Sequence, residues 1–248
     1  MTELSVNINK IALLRNQRDI GIPDVTGASR RIIEAGAYGI TVHPRPDERH
    51  IRYSDVYELA KMVTVEFNIE GNPFTGRYME IVSDVRPTQA TLVPDDPGAS
   101  TSDHGWDLEA NGERLIPIIK QLKDNGIRVS LFMDAVVEVM KVAKQIGADR
   151  VELYTEPYAT AFREEKNFEQ TLQAYVEAAR AAMDEGLGIN AGHDLNLDNL
   201  GKFCGEVPGV LEVSIGHALI GDALDIGLSA AVEAYLKILS DTKSKINS

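Results

Sequence analysis

The sequence predicts one closed barrel of eight parallel strands surrounded by helices, an α/β fold of the (β/α)8 or TIM-barrel class. Eight short apolar segments rich in β-branched residues recur along the chain, and each ends on polar or glycine residues. Helical patterns separate these segments. The length of 248 residues suits one barrel, which takes about 250 residues. An open, doubly wound sheet is the alternative, but no Gly-x-Gly-x-x-Gly or Walker-type loop follows the first segment.

The predicted strands are short, and several are nearly continuous apolar runs such as VSLFM and TVEF. Such runs are typical of parallel strands covered on both faces. No linker or shift of composition divides the chain, so we expect one domain over residues 1–248, with the barrel at about 4–239 and a flexible tail at 240–248. We place the strands at residues 4–9, 39–43, 64–70, 90–94, 128–134, 150–155, 188–192 and 211–216.

Helices are predicted between these strands. Residues 24–35 begin at an N-cap Asp24 and end before Gly36. Residues 135–146 and 168–183 each carry an apolar stripe at helical spacing.

Three connections from a strand to the next helix are long and polar, at residues 10–23, 95–112 and 156–167. Connections in the other direction are short and contain glycine. Long loops in a compact domain are usually functional. These three are expected at the C-terminal end of the strands, where barrel enzymes carry out their chemistry.

Composition and charge exclude several classes of function. Apolar residues make up 44% and charged residues 25%, as in a globular protein, and no apolar run approaches the roughly 18 residues of a membrane span. The formal net charge of −13 argues against nucleic acid and anionic membrane as partners. The N-terminal residues lack a signal-peptide pattern, and the single cysteine, Cys204, cannot form an internal disulfide. We therefore expect a cytoplasmic protein.

All five histidines are predicted at or just beyond the C-terminal end of a strand. A cluster of imidazoles at this end of a barrel indicates a site for proton transfer or anion binding. The alternative is that histidines simply favour loops. The five are His43, His50, His104, His193 and His217.

The second strand runs into the cationic stretch TVHPRPDERHIR. Arg45 and His50, with Arg49 and Arg52, supply the local positive charge that an acidic protein needs to hold an anion such as phosphate. His43 closes the strand itself. A solvated charged loop is the alternative.

The third strand ends in Glu70, and alternation places Glu66, Asn68 and Glu70 on one side. A carboxylate surrounded by an apolar barrel mouth has a raised pKa and can act as a general base. An ordinary ion pair at the end of the strand is the alternative.

The last two strands end in NAGHD and SIGHALIG. Gly192 and Gly216 would let backbone N–H groups approach a phosphate at this position. Simple turn glycines are the alternative.

The first strand contributes Asn7 and Asn9 on one face, followed by Lys10 and then by Arg15 and Arg18. Lys10 is expected to contact phosphate or solvent, and formation of a Schiff base is the rival role. No metal-ligand motif and no Gly-x-Ser-x-Gly nucleophile motif is found.

These motifs together resemble the pyridoxine 5′-phosphate synthase family, in order, from about residue 4 to residue 239. The stretches TVHPRPDERHI and NAGH are the most specific, and VNINKIALLRNQR, FNIEG, VSLFMD and SIGHALIG support them. The resemblance implies a barrel with extra helices, a homo-octamer, and no metal or organic cofactor. It implies that the two partners are small phosphorylated substrates, 1-deoxy-D-xylulose 5-phosphate and 3-amino-2-oxopropyl phosphate, which are joined to close the vitamin B6 ring.

The resemblance also implies roles for individual residues. The proton acceptors fall on His43 and Glu70, and the proton donor falls on His193. Contacts to deoxyxylulose phosphate fall on Arg45, His50 and Thr101, and those to the amino-ketone phosphate fall on Asn7, Arg18, Asp194, Gly216 and His217. Asn9 and Lys10 complete the substrate-binding set, although many members have Asp-His at these two positions and a glycine at the position of Asp194.

Two other functions stay open on the residues alone. One is a phosphosugar aldolase or isomerase, which would need Lys10 as a Schiff-base former or a metal. The other is a phosphometabolite-binding protein that has lost its chemistry.

Overall fold

The barrel is closed, with eight parallel strands in chain order and β8 paired with β1. The computed structural model describes residues 2–96, 98–99 and 101–246. The predicted barrel is thus confirmed and the open sheet is excluded. The strands are β1 Glu3–Asn7, β2 Gly39–Val42, β3 Glu66–Gly71, β4 Gln89–Leu92, β5 Arg128–Met133, β6 Arg150–Tyr154, β7 Gly188–Gly192 and β8 Val210–Ile215.

Helices follow every strand, and three of the eight connections that leave the strands carry two helices. The first helices of these three pairs, α1, α7 and α10, are the short extra helices. The helices are α1 Asn9–Asn16, α2 Val25–Glu34, α3 Tyr53–Met62, α4 Tyr78–Val85, α5 Leu108–Asp124, α6 Val137–Gln145, α7 Glu156–Glu164, α8 Phe168–Asp184, α9 Leu200–Glu206, α10 His217–Ile226 and α11 Leu228–Ile246.

The prediction of loops is wrong for two of the three stretches, because each contains a helix. The first half of 10–23 forms α1, and most of 156–167 forms α7. The Asn7 side chain accepts a hydrogen bond from the Asn9 backbone N–H at 3.0 Å, which turns the chain into α1. Pro157 occupies the first turn of α7, where its missing N–H costs nothing.

Other element boundaries lie close to the prediction. Asp24 caps α2 by accepting from the backbone N–H groups of Thr26 and Gly27, as expected. The third predicted loop is shorter than expected, because Asp107 caps α5 and residues 108–112 are helical. The last helix runs to Ile246, so residues 240–246 are helical, and the flexibility of this end stays a prediction.

The apolar core lies between the strands and the helices, while the inside of the barrel is polar. Ser5 and Thr41 share a hydrogen bond of 2.7 Å, and Asn68 bridges Thr41 and Thr91 at 3.3 and 3.0 Å. Because side chains alternate along a strand, the same strands send Ile40, Ile69 and other apolar residues outward to the helices. The polar interior forms the floor of the site described below.

Ion pairs occupy the N-terminal end of the barrel. Arg128 pairs with Glu66, and Arg150 lies 3.1 Å from Glu212. Burial raises the pKa of the Glu212 carboxyl, and the neighbouring Glu66 raises it further. Within residues 2–96, 98–99 and 101–246, no helix combines the length and the apolar character needed to cross a bilayer.

Candidate active site

A cavity of about 400 Å³ opens at the C-terminal end of the barrel. Residues in or just after six strands line it, namely β1, β2, β3, β6, β7 and β8. The loop between β4 and α5 also contributes to the lining. Its lining is polar and carries most of the molecule's histidines. The lining residues are Asn7, Asn9, Lys10, His43, Arg45, His50, Glu70, Thr101, Ser102, Glu152, His193, Asp194, Ser214, Gly216 and His217.

Every predicted site residue except Arg18 lines this cavity. Arg18 is exposed in the bend after α1, so its role stays a prediction. His104 is also exposed, and it pairs with Asp103 at 2.6 Å. Four of the five histidines therefore share one cavity, as the position of the strand ends indicated.

The cationic stretch after β2 is divided by the fold. Arg45 and His50 face the cavity, whereas Arg52 is exposed at the start of α3. Arg15, a second cation of the α1 region, is buried against Asp55 at 2.5 Å and donates to the His50 carbonyl at 3.1 Å. Arg15 thus supports the loop that carries His50, and it does not contribute to the cavity wall.

His43 and Glu70 form the centre of the site. His43 Nδ1 lies 3.8 Å from Glu70 Oε2, a separation too long for a hydrogen bond, and both side chains are almost fully buried. The Asn9 side chain accepts from the His43 backbone N–H at 3.0 Å and fixes the end of β2. Burial lowers the pKa of His43 well below its usual range, and the charge of Arg45 lowers it further.

Glu70 has the opposite shift. Burial and the nearby Asp95 together raise its pKa to about 8. The Asn7 amide points its Nδ2 at Glu70 Oε2 from 3.4 Å. The raised pKa of Glu70 favours its protonated form at neutral pH, and the lowered pKa of His43 favours the neutral ring.

Arg45 is held in place by a buried partner. Its Nη2 lies 2.6 Å from Asp95 Oδ2, and Ser102 donates to the same oxygen at 2.6 Å. Removing Arg45 or Asp95 would leave the other charge buried without compensation. This triad joins β2, the end of β4 and the loop that carries Thr101, so it connects the loop to the cavity wall.

His50 has a defined tautomer. The Ile51 backbone N–H donates to His50 Nδ1 at 2.9 Å, which places the ring proton on Nε2. Burial, together with the charges of Arg45 and Lys10, lowers the pKa of His50 to about 4. A neutral His50 can therefore offer one Nε2–H to an anion in the cavity.

His193 follows the end of β7 and packs against two aromatic rings that also contact each other. Its ring centroid lies 5.3 Å from that of Phe132 and 5.5 Å from that of Tyr154, both edge to face. The loss of water around the ring lowers the pKa of His193, while Asp194 opposes this shift. His193 and Asp194 both have left-handed backbone, with φ of 77° and 57°, which is uncommon outside glycine.

Sequence reasoning missed Glu152, Ser102 and Ser214, which also line the cavity. Burial raises the pKa of Glu152 well above its usual range, and Glu70 raises it further. The alternation in RVELY, which places Glu152 on the inner face of β6 together with Arg150, was a signal that would have found it.

Two glycines that were predicted to approach phosphate have a packing role. A Cβ at Gly192 would collide with the Glu152 carboxylate, and a Cβ at Gly216 would lie 3.1 Å from the Asn7 backbone oxygen. Each glycine therefore makes room for a neighbouring side chain or strand of the site.

The arrangement can transfer protons and hold anions. Three groups with displaced pKa values, His43, Glu70 and His193, face the same space as the cations Lys10 and Arg45. In the part of the chain that the structure describes, no set of three or more His, Cys, Asp or Glu side chains is arranged to hold a metal.

The fold recurs in solved structures of low sequence identity. Thiamine phosphate pyrophosphorylase from Pyrococcus furiosus matches with a TM-score of 0.63 and 15% identity, over 97% of this chain and 96% of that one. A protein cage designed by fusing symmetric oligomeric domains matches with a TM-score of 0.67 and 11% identity, over 99% of this chain and 75% of that one. Both likenesses concern the fold alone.

Relatives of known name are much more similar. Pyridoxine 5′-phosphate synthase of Albidiferax ferrireducens is 54% identical, with 98% of this chain and 99% of that protein covered. The protein of the same name from Cytophaga hutchinsonii is 54% identical, with 96% and 99% covered. The family model described as pyridoxal phosphate biosynthesis protein PdxJ matches residues 4–241. With this match across nearly the whole barrel, the chain belongs to the PdxJ family of pyridoxal phosphate biosynthesis proteins.

Proposed function

We propose that this chain is a pyridoxine 5′-phosphate synthase, which condenses 1-deoxy-D-xylulose 5-phosphate with 3-amino-2-oxopropyl phosphate. The products are pyridoxine 5′-phosphate, inorganic phosphate and water. The observation that carries the proposal is that His43, Glu70 and His193 face one cavity in a member of the PdxJ family. The names of the relatives agree with it.

The two substrates would occupy different parts of this cavity. Arg45, His50 and Thr101 would bind deoxyxylulose phosphate, and the neutral His50 would donate its Nε2–H to an oxygen of that substrate. Asn7, Asp194, Gly216 and His217, with Arg18, would bind the amino-ketone phosphate. Lys10 and Asn9 lie at the start of α1 on the cavity wall, where the Lys10 charge favours an anion.

Proton transfer is the work proposed for the three central groups. Closing the ring requires an imine, loss of two waters and a phosphate, and a new carbon–carbon bond, and each step moves protons near carbonyl groups. Glu70 and His43 would accept these protons and His193 would protonate a leaving oxygen. The amino group of the incoming substrate carries positive charge, which favours ionised Glu70 and readies it as a base.

The loop after β4 is proposed to close over the bound substrates. Residues 98–99 and 101–107 of this loop are tied to the barrel through Ser102 on Asp95 and through Arg49, which donates to the Ala99 carbonyl at 2.9 Å. Pro97 and Ser100, also within the predicted lid, lie outside the described residues. Closure would exclude water while reactive intermediates are present.

We also propose that the chain acts as one domain, assembles as a homo-octamer and works in the cytoplasm without metal or organic cofactor. Exposed apolar side chains on and next to two helices that contact each other, α1 and α10, support assembly. Apolar side chains grouped on a protein surface mark sites of association. They are Leu14 on α1, Ile20 and Ile22 in the connection after α1, and Leu224 and Ile226 on α10.

The proposed activity is tested by incubating the purified protein with both substrates in a buffer that contains a chelator. We expect pyridoxine 5′-phosphate, followed by its absorbance and mass, and no product when either substrate is left out. Borohydride trapping in the same mixture addresses the aldolase alternative, since a covalent adduct on Lys10 would identify a Schiff base. Tight substrate binding without any product would support a binding protein and contradict the synthase.

A further inference from the structure

The turn that carries His193 has an unusual backbone. His193 and Asp194 are consecutive non-glycine residues in the left-handed region, with φ of 77° and 57°. This conformation is unfavourable for a residue that carries a side chain. A turn of this kind persists only where its surroundings hold it in place, so the groups that hold it also determine where the His193 ring lies.

Thr155 supplies most of that support. Its backbone N–H donates to the Gly192 carbonyl at 2.9 Å, and its hydroxyl contacts the same carbonyl at 2.7 Å and also the His193 carbonyl. The hydroxyl has one proton, which the two carbonyls share. Thr155 is fully buried and is not among the residues that line the cavity. It therefore contacts the backbone of the proposed proton donor without reaching a substrate.

Asn199 holds the next carbonyl of the same turn. Its Nδ2 donates to the Asp194 carbonyl at 3.1 Å, while its Oδ1 accepts from the Asn196 backbone N–H at 2.9 Å. Asn199 is also buried. Three successive carbonyls, at positions 192, 193 and 194, are thus fixed by two side chains from outside the turn.

The ring of His193 depends on this backbone for its place against Phe132 and Tyr154, whose own rings lie 5.4 Å apart. The edge-to-face contacts with both rings require the His193 ring to project from the turn in one direction. The backbone of Tyr154 is fixed as well, because the Tyr175 hydroxyl donates to the Tyr154 carbonyl. The aromatic cluster and the turn are therefore held by separate hydrogen bonds.

We propose that Thr155, assisted by Asn199, is a positioning residue that holds His193 in its reactive orientation. This inference rests on the proposed function, in which His193 donates a proton. A misplacement of about 1 Å in a catalytic group can lower the rate about 100-fold, so loss of the hydroxyl is expected to lower kcat and to leave substrate contacts intact.

The test compares Thr155→Val, which keeps the shape but removes the hydroxyl, with Thr155→Ser, which keeps the hydroxyl. Thr242→Val is the matched control, because Thr242 is a buried threonine that donates to the Ile238 carbonyl within α11. We expect Thr155→Val to lower kcat about 10- to 100-fold with little change in KM, and Thr155→Ser and Thr242→Val to stay within about threefold of the parent protein. A Thr155→Val protein whose kcat stays within about twofold of the parent would overturn the proposal, whatever its melting temperature.

A crystal structure of Thr155→Val separates this proposal from the proposed function. We expect the His193 ring to lose its edge-to-face contacts with Phe132 and Tyr154, and an unchanged His193 would overturn the positioning role even if the parent protein made no product. If Thr155→Val does not fold, Asn199→Asp takes its place under the same criteria, because it keeps the acceptor for Asn196 and removes the donor to Asp194.

Discussion

The pKa values of Glu70 and His43 are in the reverse of the order that the two groups have in water. The buried carboxyl has a pKa of about 8, while burial and Arg45 hold the pKa of His43 well below its usual range. The protein environment, and not the residue types, sets this order. Sequence reasoning identified both residues from their places at the ends of strands, but it had no access to the burial that determines which of them is protonated.

The raised pKa of Glu70 predicts a stability change with pH. This group ionises above about pH 4.5 in the unfolded chain but only near pH 8 in the folded protein. The free energy of unfolding therefore falls as the pH rises from about 4.5 to about 8. Glu70→Gln should therefore have a melting temperature close to that of the parent protein at pH 4 and a clearly higher one above pH 8. Melting temperatures of both proteins across this range measure the effect, and a constant difference at every pH would contradict the raised pKa.

The same shift predicts the pH profile of the reaction. A base with a pKa near 8 is increasingly ionised as the pH rises, so kcat/KM should rise with pH and level off above about 8. The profile of the free enzyme at low substrate concentration tests this. A profile that is already flat from pH 6 would show that Glu70 is ionised in the free protein.

His193 is expected to contribute to turnover more than to binding. His193→Asn should lower kcat by about 10²–10⁴-fold, while the dissociation constants of the substrates change little. Steady-state kinetics and calorimetric binding measure the two effects. Turnover that survives within a fewfold would exclude the donor role, and His104→Asn, which alters an exposed histidine outside the cavity, is the control.

Asp194 carries a side chain at a position whose backbone conformation favours glycine. Its φ of 57° favours glycine, so Asp194→Gly should stabilise the folded protein by about 1 kcal/mol. It should also lower the pKa of His193, because the Asp194 charge raises it. Denaturant unfolding checks the stability, and Asp194→Asn separates the charge from the backbone. A loss of stability in the glycine variant would contradict this account of the turn.

At the scale of elements, the strands could be placed from the sequence, whereas the extra helices were implied by the family resemblance but could not be placed. Strand positions follow from short β-branched runs, and all eight lie within a few residues of their predicted places. Stretches 10–23 and 156–167 are dense in polar residues and were interpreted as loops, but α1 and α7 form there. Their polar density reflects exposure on one side, while Ile11, Ala12, Tyr158 and Ala159 are buried on the other.

The loop after β4 gives a prediction at this scale. Ser102 donates to Asp95 at 2.6 Å and ties the loop to the Arg45 ion pair. Ser102→Ala should loosen the loop and raise the KM for deoxyxylulose phosphate several-fold, with a smaller effect on the amino-ketone substrate. Initial rates with each substrate varied in turn measure this difference. Equal effects on both KM values would contradict the proposal that this loop contacts deoxyxylulose phosphate and not the amino-ketone substrate.

At the scale of the whole molecule, closure of the barrel brings the site together. Residues from Asn7 to His217 line one cavity because parallel strands end on the same rim. That convergence could be predicted from strand order alone. Glu152 could be placed on the inner face of β6 by alternation, but the support that Thr155 gives could not be recognised, since it depends on a contact between the end of β6 and the turn after β7.

The exposed apolar side chains of α1, of the connection after it and of α10 are expected to form an assembly surface, called here the apolar patch. Ile22→Asp places a charge in the patch and should shift the protein to smaller assemblies, as measured by analytical ultracentrifugation. Leu211→Asp is the control, because Leu211 is similarly exposed but lies at the start of β8, at the other end of the barrel. If the Ile22→Asp protein has the same assembly size as the parent protein, the patch is not part of the interface between subunits.

The most direct measurement is a crystal structure of the protein with pyridoxine 5′-phosphate bound. We predict that the ring occupies the cavity at the C-terminal end of the barrel, with His43, Glu70 and His193 each within hydrogen-bonding reach of one of its atoms. A product molecule seated outside this cavity, or one that touches fewer than two of the three side chains, would contradict the account.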